Sequence, residues 1–162
     1  MHLSTILQSL MLLALANGTP LFVKKLFGAW FTQPLDGGIL FVDRRPLFGR
    51  SKTLRGVAAS LIVTTVGALL LDLPPEIGAA VAAAAMAGDL CSSFIKRRLA
   101  LPPSSQALGL DQVPESLLPL LVCRTELSLT AIDIALAVAI FFGGELVLSR
   151  LLYKAHLRDQ PY

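Results

Sequence analysis

Hydrophobic residues along the chain gather into five blocks, set apart by two long polar stretches and two short ones. The first apolar run, Leu3 to Ala16, continues past Asn17-Gly18-Thr19-Pro20 to about Trp30 and predicts a helix long enough to cross a bilayer. Gly56 to Leu73 is uninterrupted, a further run extends from Ile77 to Ile95, and Pro74-Pro75 between them marks a tight hairpin turn. A fourth segment, 113–126, is apolar only as far as Cys123, and a fifth, 129–152, contains Asp133 and Glu145. The pattern predicts an all-α integral membrane protein: a bundle of about five transmembrane helices over 3–30, 56–73, 77–95, 113–126 and 129–152, forming one domain across 1–162. The fourth segment is too short to cross alone. Its apolar stretch rises about 16 Å against a hydrocarbon core of about 30 Å, so it must enlist Arg124 to Glu126 or be sheltered by protein.

Composition agrees: 54% of the 162 residues are hydrophobic and 15% are charged, whereas soluble domains carry about a quarter charged residues. Ala14-Leu15-Ala16 has the form of a signal-peptide cleavage site, but no basic segment precedes the apolar run. A retained first span is therefore expected. Two connections, about 31–55 and 96–112, are too long to be simple turns. With the N-terminus outside and the C-terminus inside, both face the cytoplasm, and all 14 basic residues except Arg124 fall beside them or in the C-terminal segment. That asymmetry is the positive-inside pattern and predicts a multi-pass protein of the cell membrane. No internal repeat is visible, which weighs against an inverted-repeat transporter. Cys91 and Cys123 form no CxxC pair, and His2 and His156 lie at opposite ends of the chain, so neither a disulfide framework nor a zinc site is indicated.

Candidate chemistry sits at the cytoplasmic helix ends. In Gly88-Asp89-Leu90-Cys91-Ser92-Ser93-Phe94-Ile95-Lys96-Arg97-Arg98, Asp89, Ser92 or Ser93, and Lys96 share one helical face within about 11 Å. A metal-binding carboxylate, hydroxyl donors and a phosphate-binding cation on one face suit a phosphate–metal complex, and an Asp inside a membrane helix points to function unless an arginine pairs with it. The segment Gly49-Arg50-Ser51-Lys52-Thr53-Leu54-Arg55-Gly56 lacks the Walker pattern. It predicts instead a helix opened by Thr53, whose positive end, with Lys52 and Arg55, receives phosphate oxygens; a capped helix with snorkelling bases is the plainer alternative. Asp111-Gln112 with Pro114-Glu115 opens the fourth span as either cap or metal ligand. Asn17 and Pro20 interrupt the first span, leaving backbone groups that must line a protected cavity, with Asn17 directed toward a ligand or a plain kink in the helix.

Together these segments resemble the CDP-archaeol synthase family, distant kin of phosphatidate cytidylyltransferases. The resemblance covers nearly the whole chain: Asn17 with Pro20, Pro34-Leu35-Asp36, Arg45-Pro46-Leu47-Phe48-Gly49, Lys52-Thr53-x-Arg55-Gly56, Gly88-Asp89 with Ser92-Ser93, Lys96-Arg97-Arg98, and Leu110-Asp111-Gln112 with Pro114-Glu115. It departs from the pattern at Asp43-Arg44, where Asp-Gly is expected, and lacks the histidine-glycine signature that closes the site in phosphatidate cytidylyltransferases. The resemblance implies an Mg2+-dependent enzyme that joins CTP to a lipid phosphate, giving a CDP-lipid and pyrophosphate, with no nucleic-acid partner. It further implies that Asp89 and Asp111 hold magnesium, with Asp36 a weaker candidate for metal or nucleotide. Lys52, Arg55, Lys96 and Arg97 would hold phosphates, Ser92 and Ser93 donate to them, and Asn17 close the pocket beneath Gly49 to Gly56, where Thr53 binds nucleotide. The rival reading is a small transporter or assembly subunit, supported by Asp133 and Glu145 in the fifth span.

Overall fold

The structure is a computed structural model that describes residues 3–102, 105 and 107–154; His2, His156 and Arg158 lie outside the described residues. Five helices follow one another: α1 (Leu3–Phe27), α2 (Leu54–Leu70), α3 (Pro75–Arg98), α4 (Gln112–Val122) and α5 (Ala131–Lys154). Leu3–Phe27, Pro75–Arg98 and Ala131–Leu151 are long and apolar enough to cross a membrane; α2 is a shorter apolar helix.

The expected boundaries move where backbone geometry overrides hydropathy. Gly28 at φ +51 ends α1 before Trp30. Thr53 caps α2 by accepting from the Gly56 N–H at 3.2 Å, so that helix starts at Leu54. It stops at Leu70 although Leu71 and Leu73 are apolar, because Asp72 reverses the chain at φ +57. Pro75 is the first residue of α3, where its missing N–H costs nothing.

Contrary to the sequence expectation, α1 runs unbroken through Asn17 and Pro20. Proline has no N–H for the carbonyl of Ala16, four residues back. Ser60 of α2 supplies the missing donor, its hydroxyl lying 2.8 Å from that oxygen. The freed group thus stitches α1 to α2 and does not line a cavity.

The apolar core gathers at the end of the bundle away from the two long connections: Ile6, Leu12 and Leu13 of α1, Ala68 of α2, Ile77 and Val81 of α3, Leu120 of α4, and Ile134, Ala137 and Phe141 of α5. Small residues permit close approach, which drives helix association where lipid removes the hydrophobic advantage. A Cβ on Gly78 would come within 2.6 Å of the Thr64 carbonyl oxygen, so α2 and α3 nearly touch there. At the other end the buried residues are polar, among them Ser92, Ser93, Lys96, Arg97, Asp111, Gln112 and Glu115.

The second connection does not remain outside the bundle. It folds back along α3. Arg97 donates to the Pro102 carbonyl at 2.9 Å, Lys96 to Ser105 at 3.0 Å and Ser92 to Leu110 at 2.6 Å, while Gly88 lies flush against Pro114. Each later residue of the loop meets an earlier residue of α3. Gly88 is ten positions before Arg98, so α4 begins about 15 Å down the helix. The short fourth segment fits this path: α4 runs beside only the earlier part of α3, and the carbonyls of Pro102, Ser105 and Leu110 are satisfied by α3 side chains.

Candidate active site

Loop 1, residues 28–53, is tied at its base by pairing of 33–35 with 52–54: Leu35 N–H donates to the Lys52 carbonyl at 2.8 Å and Leu54 N–H to that of Gln33 at 3.2 Å. Inside it, the buried Asp36 carboxylate accepts from the N–H groups of Phe48 (2.9 Å), Gly38 (3.0 Å) and Gly49 (3.1 Å). Burial alone raises its pKa, but the three donors outweigh it and hold the carboxyl below its ordinary value of 3.8. Asp36 therefore organises loop 1, with both oxygens engaged by backbone, and is not presented as a metal or nucleotide ligand.

This frame aims Lys52 into the bundle. Its Nζ lies 2.5 Å from the Asp89 carboxylate of α3, with the two side chains 23% and 20% exposed. One step along α3, Lys96 Nζ is 2.6 Å from Asp111, at the entrance to α4. The other Asp111 oxygen accepts from Ala107 N–H at 2.8 Å. Buried Glu115 of α4 feels the charges of Asp89, Glu145, Lys52 and Asp111, so α5 also brings a carboxylate toward the centre. Gly49 rests against the Arg97 guanidinium, closing loop 1 over the end of α3, and Ser93 is buried one turn from Asp89 and Arg97.

The remaining expected site residues are used elsewhere. Arg55 turns outward and donates to the carbonyls of Gly28 and Trp30 at the end of α1. Thr53 serves as the α2 cap, and the Asn17 amide donates to its own helix at Leu13, 3.1 Å away. Ser92 spends its hydroxyl proton on the carbonyls of Gly88 and Leu110, so it positions the loop and has none for phosphate. Lys96 and Arg97 combine both roles, holding the second connection while facing Asp111 and loop 1.

The two carboxylates of α5 have roles that sequence reading missed, and only one of them is near the site. Glu145 looked like a midplane residue of a transporter, yet its charge reaches Glu115. Asp133, the other support for that reading, is a helix cap: it accepts from Thr130 N–H at 3.1 Å and hydroxyl at 2.8 Å, while the Thr130 hydroxyl accepts from Asp133 N–H at 3.2 Å. The Thr130-x-x-Asp133 spacing was the available signal.

Comparison with known proteins decides the family. The profile of the CarS-like family, CDP-archaeol synthase, matches residues 76–162, which contain Asp89, Asp111, Glu115 and Glu145. The CDP-archaeol synthase of Pyrobaculum aerophilum is 31% identical over 152 residues, 91% of either chain. This chain belongs to the CDP-archaeol synthase family. The synthase of Thermococcus onnurineus is 39% identical over 109 residues, 60% of this chain and 61% of its own; that match and one at 66% of the Pyrobaculum arsenaticum synthase each take in less than two thirds of the relative. A solved structure, an intramembrane enzyme for archaeal membrane lipids biosynthesis, superposes with a TM-score of 0.66 at 28% identity, covering 85% of this chain and 90% of that one. Like that intramembrane enzyme, this family member is a helical multi-pass membrane protein.

Proposed function

We propose that the chain is a CTP-dependent cytidylyltransferase that converts an archaeal-type lipid phosphate to a CDP-lipid and releases pyrophosphate. The observation carrying this reading is the pair of lysine–aspartate contacts, Lys52 with Asp89 and Lys96 with Asp111, around Glu115 at the inner end of the loops, in a chain of the CDP-archaeol synthase family.

The charge balance supports a divalent metal. Asp89 and Asp111 pair with Lys52 and Lys96, and Glu115 and Glu145 add two further carboxylates nearby, so a cation among them would offset the charge that a triphosphate brings. Among the described residues no three His, Cys, Asp or Glu side chains are grouped tightly enough to cage a metal. Magnesium suits that arrangement, since it commonly uses one or two carboxylates and completes its shell with substrate phosphates and water. Asp89 and Asp111 would hold it, and the ion would neutralise charge on the nucleotide. As phosphates enter, Lys52 and Lys96 exchange their carboxylate partners for phosphate oxygens, Arg97 adds a fixed guanidinium and Ser93 a hydroxyl donor.

In the reaction a lipid phosphate oxygen attacks the α-phosphorus of CTP. A new phosphorus–oxygen bond forms, the bond to the bridging α,β-oxygen breaks, and pyrophosphate leaves with that electron pair. The nucleophile needs no base, because a phosphate monoester's second pKa is about 6. A site about 15 Å inside the end of α3 brings a soluble nucleotide to a phosphate held at the membrane. We place the N-terminus outside and the C-terminus inside a cell membrane, with the site opening to the cytoplasm. Support comes from the meeting of the two long connections at one end, where Lys24, Lys25, Lys52, Arg55 and Lys96 to Arg98 also gather.

The test is radiolabelled CTP with magnesium and purified protein, offered archaeal-type and diacyl lipid phosphates in parallel, beside Asp89→Asn. CDP-lipid from the archaeal substrate, lost in the variant, is the expected outcome. Folded protein that makes no product and binds no CTP would refute the assignment.

A further inference from the structure

The tip of loop 1 has no part in the site just described, yet it is built with unusual care. Residues 39–47 form a hairpin: Leu47 N–H donates to Ile39 at 3.1 Å, Phe41 N–H to Arg45 at 2.8 Å and Arg44 N–H to Phe41 at 2.8 Å. Its inner side is latched to the end of α3. Arg98 pairs with Asp43 at 2.7 Å, lies 4.8 and 4.9 Å from the ring centres of Phe41 and Phe94, and donates to Pro46; Arg45 donates to the carbonyl of Arg98 at 2.5 Å. The outer side is apolar and bare: Val42 is 91% exposed, Ile39 63% and Leu40 57%.

Its height and direction identify what covers it. Phe41 meets Phe94 edge-on at 5.3 Å, one turn before the end of α3, so the tip reaches down beside the helix and does not project beyond it. Beyond its first turn the exposed residues of α3, Ala83, Ala87, Cys91 and Ile95, fall on a line that continues to Leu99 after the helix, faces away from the other helices and ends next to Phe94 and Arg98. In a multi-pass protein that line faces lipid, and the hairpin continues it. Exposed Arg44 at the turn adds a cation at the depth of anionic headgroups.

We propose that the Ile39 to Val42 edge of the hairpin inserts into the bilayer surface, making loop 1 a membrane-bound strap that holds Lys52 from its outer end. The partner is a lipid surface, and neither a second copy nor another protein. Apolar residues lie against the acyl boundary, Arg44 meets headgroup phosphates, and the Arg98–Asp43 latch fixes the strap to α3. This rests on the fold and its surface and stands whether or not the chain transfers cytidylate.

The experiment uses the full chain in liposomes, with Cys91→Ser and Cys123→Ala and a single environment-sensitive fluorophore at Val42→Cys or, separately, Ile39→Cys; a label at Arg50→Cys serves as the aqueous reference. Emission from the two tip labels is expected to be lost with nitroxide-bearing lipids and protected from iodide, the reverse of the reference. Quenching of the tip labels by iodide would place the tip in water and overturn the proposal. Protection from both quenchers would mean a protein covers it, which overturns it equally. Two sites on one exposed edge keep the result independent of either substitution's effect on folding.

Discussion

Gly88 is the position at which a single methyl group would most directly disturb the proposed chemistry. A Cβ there would lie 2.5 Å from the carbonyl carbon of Pro114 and 2.8 Å from the Glu115 nitrogen, all backbone of α4. Backbone cannot swing aside as a side chain can, so restoring an ordinary carbon contact of about 3.5 Å pushes the start of α4 away by roughly 1 Å. Overpacking of this kind costs about 1–3 kcal/mol, while alanine in place of a helical glycine returns about 1 kcal/mol. The net loss of stability is therefore modest. Geometry suffers more: Asp111 and Glu115 move with α4 relative to Asp89 on α3, and a 1 Å misplacement can cost about a hundredfold in rate.

Gly78→Ala separates the two effects. Its Cβ would crowd backbone just as tightly, 2.6 Å from Thr64 oxygen and 2.8 Å from Thr65 Cα, but at the apolar end of the bundle. Gly143→Ala, with nothing within 4 Å, is the neutral reference. Initial rates of CDP-lipid formation per folded molecule, with melting temperatures in detergent, should show both tight glycines losing comparable stability and Gly88→Ala alone losing about two orders of magnitude in kcat/KM. Equal activity losses at 78 and 88, or near-normal activity at 88, would refute the reasoning.

Removing one partner of the Lys52–Asp89 pair, by Lys52→Met or Asp89→Asn, should cost about 2–3 kcal/mol by stranding a mostly buried charge, whereas the double variant should recover much of the melting temperature and stay inactive. Asp36→Asn should release loop 1 at a cost of about 1.5–3 kcal/mol and weaken CTP binding in calorimetry. Because the Asp36 pKa is depressed, its stabilisation is fully present above the ordinary 3.8 and is lost only as pH falls through the lower folded value, so activity above about pH 5 should show no titration from this group. Arg44→Gly should raise stability by about 1 kcal/mol, since Arg44 holds φ +59 in the hairpin bulge where glycine is unstrained; this gives the departure from the family's Asp-Gly a measurable cost. Thr130→Ala should remove the α5 cap at a cost of about 1 kcal/mol in thermal unfolding and leave kcat/KM within about twofold.

The five helices were legible because each apolar run exceeds what a turn can hold, and Lys52, Asp89, Lys96 and Asp111 stood out as charges beside apolar helices, which the structure joins in two pairs that the sequence did not specify. Direction was not legible. Lys52 and Arg55 stand three residues apart on opposite sides of the Thr53 cap, and only the path of loop 1 sends one to Asp89 and the other to the end of α1. Ser92 and Ser93 look equivalent in sequence, yet the first is spent on Leu110 once the second connection folds back. That fold-back has no local signature: its burial depends on α3 side chains five to eighteen residues away.

Much of this organisation reduces to the spacing of residues on α3. Ile77 and Val81 face the apolar core, Gly88 admits the backbone of α4, Asp89 meets Lys52, Ser92 and Lys96 hold the second connection, Arg97 supports Gly49, and Arg98 latches the hairpin tip. One helix thus sets the relative heights of both loops and of α4. A one-residue insertion between Asp89 and Ser92 would turn the later positions by about 100°, parting Asp89 from the residues that place Asp111 while leaving the apolar packing below Gly88 in register. The polar cluster and the apolar core are therefore separable along the same helix, which is why the proposed reacting centre, rich in carboxylates, can be built at one end without dissolving the bundle at the other.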